Sequence, residues 1–154
     1  MKPNGKYALV VDDDPHILEL LTAMLHRRGY RVVSYDNPLR CPFFTPTPCD
    51  RQSKTFTAFP DIIISDLQMP HVNGLEFLER LHSTPGARHN AALVSGAEMK
   101  AEDLNRLREL GISFIPKPVS IKEIYRWLDH VETDIHKKAV STPVSPDRCA
   151  AYCA

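Results

Sequence analysis

The stretch DIIISDLQMPHVNG, residues Asp61–Gly74, places three isoleucines and a serine directly before an aspartate. A short run that is nearly continuous in apolar residues is typical of a strand buried on both faces. The proline, polar residues and glycine that follow Asp66 are typical of a loop. The stretch therefore predicts a buried strand that ends at Asp66, whose carboxylate either runs out into solvent or is displayed for chemistry.

Further apolar runs lie on both sides of this strand and alternate with amphipathic segments. The predicted strands are Tyr7–Val11, Arg31–Tyr35, Asp61–Ser65, Ala91–Ser95 and Ile112–Ile115. The first amphipathic segment runs from Pro15, which suits a first helical turn, to Arg28, and Gly29 suits its stop. The other three are marked by Leu75, Phe77, Leu78 and Leu81, by Leu104, Leu107 and Leu110, and by Ile121, Ile124, Leu128 and Val131. This alternation predicts an α/β fold with a parallel sheet covered by helices on both faces.

Length and composition favour a single domain. The 154 residues, 43% of them hydrophobic, suffice for one core and are too few for two ordinary domains. The 19 basic and 19 acidic residues balance, so no overall field attracts nucleic acid or an anionic membrane. No apolar run approaches the roughly 20 residues that span a bilayer, and the amino terminus becomes acidic too early for a signal peptide. We expect a cytoplasmic protein without membrane insertion or a direct nucleic-acid partner.

Two segments interrupt the alternation. Residues 36–60 contain five prolines and no helical period, although a crossover helix is expected there. The second helix of the pattern is therefore predicted to be altered or missing. From residue 137 onward the chain has few large apolar residues. We expect one domain over residues 1–136, with 36–60 as an atypical insertion, and a flexible tail over 137–154.

Five polar side chains are predicted to meet at one edge of the sheet. Asp12 and Asp13 follow the first strand, Asp66 ends the third, Ser95 ends the fourth and Lys117 follows the fifth. Ligands of open α/β sheets bind outside the carboxyl ends of the strands. Three neighbouring carboxylates repel unless a cation lies among them, and Mg²⁺ prefers such hard oxygen ligands. A lysine beside them suits an incoming phosphoryl group.

The stretches ALVVDDDPHIL, PDIIISDLQMPHVNGLEFL, LVSGA and FIPKP together resemble the receiver domain of response regulators in bacterial two-component signalling, over about residues 6–132. The resemblance implies a flavodoxin-like, doubly wound five-stranded parallel sheet of order 2-1-3-4-5. It also implies that Asp66 accepts a phosphoryl group from a histidine kinase in a Mg²⁺-dependent reaction. Asp12, Asp13 and Asp66 would then hold the metal with the main-chain carbonyl of Gln68, and Lys117 would pair with the phosphate.

The same resemblance makes Ser95 the switch hydroxyl and Phe114 the rotameric aromatic. Phosphorylation would change the surface of the fourth helix, fifth strand and fifth helix of the family pattern for a downstream protein partner. The Lys117–Pro118 bond would be cis. No separate turnover activity is expected. Because no helix-turn-helix pattern or basic stripe follows the last helix, we expect a stand-alone receiver that acts on a protein target or in a phosphorelay.

Structural roles compete with these assignments. Asp14 is best explained as the cap of the helix that begins at Pro15. Phe43 and Phe44 are expected to pack on the sheet where the second helix is absent. Cys41, Cys49, Cys149 and Cys153 are expected to be free thiols, although a zinc site or a redox link between insertion and tail stays open.

Two other functions also stay open. One is a phosphorylation-independent interaction module that uses the cysteine-bearing insertion or the surface of residues 114–125 as its working face. The other is a Mg²⁺-dependent aspartyl phosphatase, although that chemistry requires a second acid two residues after the nucleophile, where this chain has Gln68.

Overall fold

The structure is a computed structural model that describes residues 5–45, 59–84 and 90–141, with side chains to residue 137. Its strands are β1 (Lys6–Val11), β2 (Tyr30–Tyr35), β3 (Ile62–Asp66), β4 (Asn90–Ser95) and β5 (Ser113–Pro116). Its α-helices are α1 (Pro15–Arg27), α2 (Gly74–His82), α3 (Ala101–Leu110) and α4 (Ile121–Ser141). A three-residue 3₁₀ turn, Pro38–Arg40, follows β2.

The five strands form one parallel sheet of order β2-β1-β3-β4-β5, which confirms the predicted topology. The register aligns their carboxyl ends. Val11 of β1 is opposite both Tyr35 of β2 and Ser65 of β3, and Asp66 is opposite Val94 of β4. The last residue of β4 is opposite the last residue of β5. Residues that follow neighbouring strands are therefore brought to one edge.

Helix α1 begins and ends where its sequence predicts. The Asp14 side chain accepts a hydrogen bond from the amide of His16 at 2.9 Å, so the cap assignment is confirmed. The helix gives way to Gly29, whose φ of 83° lies in the left-handed region that glycine adopts without strain. Its inner face buries Leu21, Met24 and Leu25.

The described part of the crossover between β2 and β3 packs aromatic residues onto the core. In its described residues, 36–45 and 59–61, the only helical structure is the 3₁₀ turn. Cys41 and Phe44 are buried in the core cluster that contains Leu9 and Ile63 of the sheet, and Phe43 packs against it. The Phe44 ring lies 5.4 Å from the ring of Phe77 in α2. The prediction that this segment covers the sheet is confirmed for these residues.

Contacts divide the chain into residues 1–120, which carry the sheet, and residues 121–154, which carry α4. Helix α4 extends to Ser141, past the domain boundary expected at residue 136. It buries Ile124, Trp127, Leu128 and Val131, whereas Ile121 at its start is exposed. None of the described helices is both long and apolar enough to cross a membrane.

Candidate functional site

Three carboxylates meet at the carboxyl edge of the sheet. Asp12 and Asp13 follow β1 directly, and Asp66 is the last residue of β3. Each offers an oxygen within 4.8 Å of the others. Asp12 and Asp66 are only 1% and 5% exposed, whereas Asp13 is exposed. The site therefore consists of two buried acids with a third at its mouth.

Lys117 reaches into this cluster from the end of β5. Its Nζ lies 3.1 Å from Oδ1 of Asp66 and 3.3 Å from Oδ2 of Asp12. The Lys117 amide donates to the carbonyl of Ser95 at 2.8 Å, and the Lys117–Pro118 bond is cis, as the resemblance implies. One ammonium group thus contacts both buried carboxylates.

The acidic cluster fits a hard divalent cation. Oδ1 of Asp12 accepts a hydrogen bond from the Asp14 amide at 2.9 Å. Its buried Oδ2 has Lys117 nearby but accepts no hydrogen bond of ordinary geometry from the described residues. An unsatisfied buried acceptor is costly, and a single ammonium leaves net negative charge among three carboxylates. A cation such as Mg²⁺ would coordinate Oδ2 of Asp12 and neutralise the remaining negative charge.

Electrostatics at the site oppose ionisation of the acids. The pKa of Asp66 is raised to about 6: burial is the main cause, the charges of Asp12 and Asp13 also raise it, and Lys117 opposes the shift. Burial also raises the pKa of Asp12, although the hydrogen bond from Asp14 and the charge of Lys117 oppose the shift. For Lys117, burial lowers the pKa, but the hydrogen bond to Asp66 and the charges of both acids outweigh it and raise the pKa overall. The lysine therefore stays charged at neutral pH.

The two residues assigned to the switch lie on the β4 and β5 side. Ser95 is buried, and its Oγ accepts a hydrogen bond from the Ala97 amide at 3.0 Å. Phe114 of β5 is 37% exposed. Gln68, the remaining predicted ligand, stands in the loop after β3 with an exposed side chain. Lys117 thus contacts Asp12 and Asp66, Asp13 lies beside the two acids, and Ser95 is linked to Lys117 through the main chain.

Gly74 is a site residue that the sequence did not reveal. A Cβ at this position would lie 1.8 Å from the carbonyl oxygen of Asp66, so only glycine fits there. The Gly74 amide also donates to the carbonyl of Leu67 at 2.8 Å, which closes the loop back onto the end of β3. The adjacent Asn73 caps α2 through the Leu75 amide. The Asn-Gly pair was the available signal, since it is typical of a helix start after a tight loop.

The cysteine question is answered in part. Cys41 is fully buried, and burial raises the pKa of its thiol to about 11, so it is protonated at neutral pH. This agrees with a free structural thiol. Cys49, Cys149 and Cys153 lie outside the described residues, so the zinc and redox alternatives are untested.

Several curated proteins and solved structures with similar sequences or folds are response regulators or their receiver domains. The chain is 25% identical over 146 residues to the two-component response regulator PprB of Pseudomonas aeruginosa, with 91% of the chain and 49% of PprB covered. It is 26% identical to the polar-differentiation response regulator DivK of Brucella anthropi, with 75% of the chain and 87% of DivK covered. The chain thus spans about half of PprB and most of DivK.

The fold agrees with these similarities. The chemotaxis protein CheY4 of Vibrio cholerae superposes with a TM-score of 0.65 at 22% identity, covering 82% of this chain and 98% of CheY4. The family model described as the response regulator receiver domain matches residues 8–129, which include the acidic cluster, Ser95 and Lys117. The chain therefore belongs to the response regulator receiver domain family.

Proposed function

We propose that this chain is a phospho-accepting receiver in which Asp66 takes a phosphoryl group from a histidine kinase or a phosphotransfer protein. The observation that carries the proposal is the position of Lys117 Nζ, within 3.3 Å of both buried carboxylates. This arrangement places a fixed positive charge beside the nucleophile, where a phosphoryl group would arrive. Membership of the receiver family supports the same chemistry.

Asp66 acts as the nucleophile. One carboxylate oxygen attacks phosphorus, the bond from phosphorus to the donor nitrogen breaks, and the donor histidine keeps the bonding electron pair. Lys117 pairs with the oxygens of the transferring group and holds them in line. The Gly74 main chain lies close to the carbonyl of Asp66, which limits movement of the Asp66 main chain.

Asp12, Asp13, Asp66 and the main-chain carbonyl of Gln68 would hold a Mg²⁺ ion. When bound, this ion supplies charge neutralisation for the phosphoryl oxygens. The buried Oδ2 of Asp12 supports this ligand set, because it lacks a hydrogen-bond donor of its own among the described residues.

The signal would arise from the new charge. An acyl phosphate adds about two negative charges at pH 7. The Ser95 hydroxyl and Lys117 are drawn toward it, and Phe114 turns inward. The surface of α3 and β5, where Phe114 is half-exposed, then changes for a downstream protein partner. We place this signalling in the cytoplasm, with no turnover of a separate substrate.

Intact-mass measurement after incubation with acetyl phosphate and Mg²⁺ tests the proposal. The wild-type protein should gain one phosphoryl group, and the gain should disappear in Asp66→Asn and when EDTA replaces Mg²⁺. Asp13→Asn provides a second control, because it removes a metal ligand and leaves the nucleophile in place. Failure of the folded wild-type protein to gain mass, both with acetyl phosphate and with a phosphorylated kinase domain, would contradict the proposal.

A further inference from the structure

Helix α3 is weakly attached to the rest of the molecule. Of its residues only Leu107 is fully buried, while Leu104 and Leu110 are partly buried against the core cluster. Its N-cap position holds Lys100, whose side chain makes no capping hydrogen bond. The positive charge of Lys100 also opposes the helix dipole, although Glu102 and Asp103 of the first turn favour it. The helix therefore depends on contacts beyond its own core residues.

One such contact is a two-point ion pair with α2. Nε of Arg106 donates to Oε1 of Glu79 at 2.8 Å, and its Nη2 donates to Oε2 at 2.5 Å. Nη1 of Arg106 lies 3.7 Å from Asp103 of its own helix. Two-point pairing fixes both distance and orientation, so this contact should be stronger than an ordinary surface ion pair. It joins the middle of α3 to the helix that follows Asp66.

The other restraint on α3 is at its start. The Ser95 hydroxyl accepts a hydrogen bond from the Ala97 amide at 3.0 Å, in the loop that leads to α3. If this hydroxyl turns to a phosphoryl group on Asp66, as in the proposed function, the Ala97 amide loses that acceptor. The loop is then released at one end, while the Arg106 contact still holds the helix from the side.

We propose that the Glu79–Arg106 ion pair is a regulatory contact that holds α3 in its unphosphorylated position and opposes the switch. This inference rests on the proposed function. A contact made in one state and lost in the other stabilises the first state by its own free energy. Removing the ion pair should therefore raise the equilibrium constant for the activated state. Binding of a phosphoryl mimic should become stronger by the same factor.

The experiment measures beryllofluoride affinity with Mg²⁺ by NMR titration, and hydrogen exchange of α3 amides without beryllofluoride. The variants are Glu79→Gln, Arg106→Gln and the double variant. Glu76→Gln and Arg108→Gln are matched controls, since both are exposed residues of the same two helices. Each single variant should bind beryllofluoride about two- to five-fold more tightly and exchange its α3 amides faster, as expected for loss of one strong surface pair. The double variant should equal the singles, because they remove the same contact.

Affinities equal to those of wild type and the controls, or additive effects in the double variant, would overturn the inference. Wild-type protein that binds no beryllofluoride would instead overturn the proposed function. The hydrogen-exchange measurement still decides in that case whether the ion pair restrains α3, so the two failures are distinguishable.

Discussion

Helices α2 and α3 have similar lengths and contribute to the same core cluster, yet they are attached very differently. Helix α2 has nine residues, five of them buried, and an asparagine cap. Helix α3 has ten residues, one of them buried, and no side-chain cap. Burial of each apolar side chain is worth about 1.5–3 kcal/mol, so the difference in attachment is large.

The two helices also follow different parts of the site. Helix α2 comes after Asp66, and the loop between them is closed by Gly74 against the Asp66 carbonyl. Helix α3 comes after Ser95, through a loop held by one hydroxyl. The half with the proposed phosphoacceptor is followed by a well-packed helix, whereas the half that would transmit the signal is followed by a helix with one buried residue and no side-chain cap. Conformational switching requires such a low-stability element.

The largest expected effect comes from truncating matched leucines in the two helices. Leu78 of α2 is fully buried, so Leu78→Ala should lower the free energy of unfolding by about 2–5 kcal/mol, from lost burial and a residual cavity. Leu104 of α3 is only partly buried, and Leu104→Ala should cost less than about half as much. Equilibrium urea unfolding of both variants measures the difference. Equal losses would remove the distinction between the helices.

A rigid acidic half also predicts how stability depends on pH. Burial raises the pKa of Asp66 to about 6, above its ordinary 3.8, so its ionisation opposes folding. The folded state favours the protonated Asp66 carboxyl. The stability gained in this way is fully present below about pH 4 and is lost as the pH rises through 6. In EDTA, Asp66→Asn should match wild type near pH 4 and be more stable at pH 7.5, by on the order of 2–3 kcal/mol.

Urea unfolding of wild type and Asp66→Asn at the two pH values measures this change. Adding Mg²⁺ should reduce the advantage of Asp66→Asn, because the ion stabilises the ionised wild-type cluster. If the stability difference between Asp66→Asn and wild type is the same at both pH values, ionisation of Asp66 does not destabilise the folded protein, and the prediction is wrong.

The sheet was predictable from sequence because its signals are local. All five strands lie within one residue of their predicted ends, since each is a short apolar run between turn residues. The Asp14 cap and the Gly29 stop were predictable for the same reason. The difference between α2 and α3 was not predictable. Leu104, Leu107 and Leu110 repeat every third residue as a buried helix face would, and only tertiary contacts decide which of them becomes buried.

The candidate site was predictable as far as strand ends determine it. Asp12, Asp13, Asp66 and Lys117 meet because parallel strands end at one edge. Gly74 escaped notice, since its closeness to the Asp66 carbonyl depends on the path of the intervening loop. The Glu79–Arg106 contact joins residues that are far apart in sequence, and its two charges look like ordinary surface residues of separate helices.

A smaller effect is expected from removing the cap of α2. The Asn73 side chain accepts a hydrogen bond from the Leu75 amide at 2.8 Å. Asn73→Ala should lower the free energy of unfolding by about 1 kcal/mol, which is typical for loss of an N-cap. It should leave the hydrogen exchange of α3 unchanged if the helices are independent. Thermal unfolding and exchange measurements check both parts, and faster exchange throughout α3 would mean that the two helices are coupled.

The smallest effect is expected from giving α3 the cap that it lacks. Lys100 has φ −66° and ψ 149°, the extended geometry of an N-cap residue, so Lys100→Asn can cap without rearranging the main chain. The new side chain should accept a hydrogen bond from the first turn, and the unfavourable lysine charge is removed. We expect a gain of about 0.5–1 kcal/mol in the free energy of unfolding and slower exchange of the first α3 amides. Lys122→Asn, within α4, is a control for loss of a lysine without a new cap.

If α3 must loosen at its start to transmit the signal, Lys100→Asn should also bind beryllofluoride more weakly than wild type. Unchanged affinity would mean that the movement occurs elsewhere.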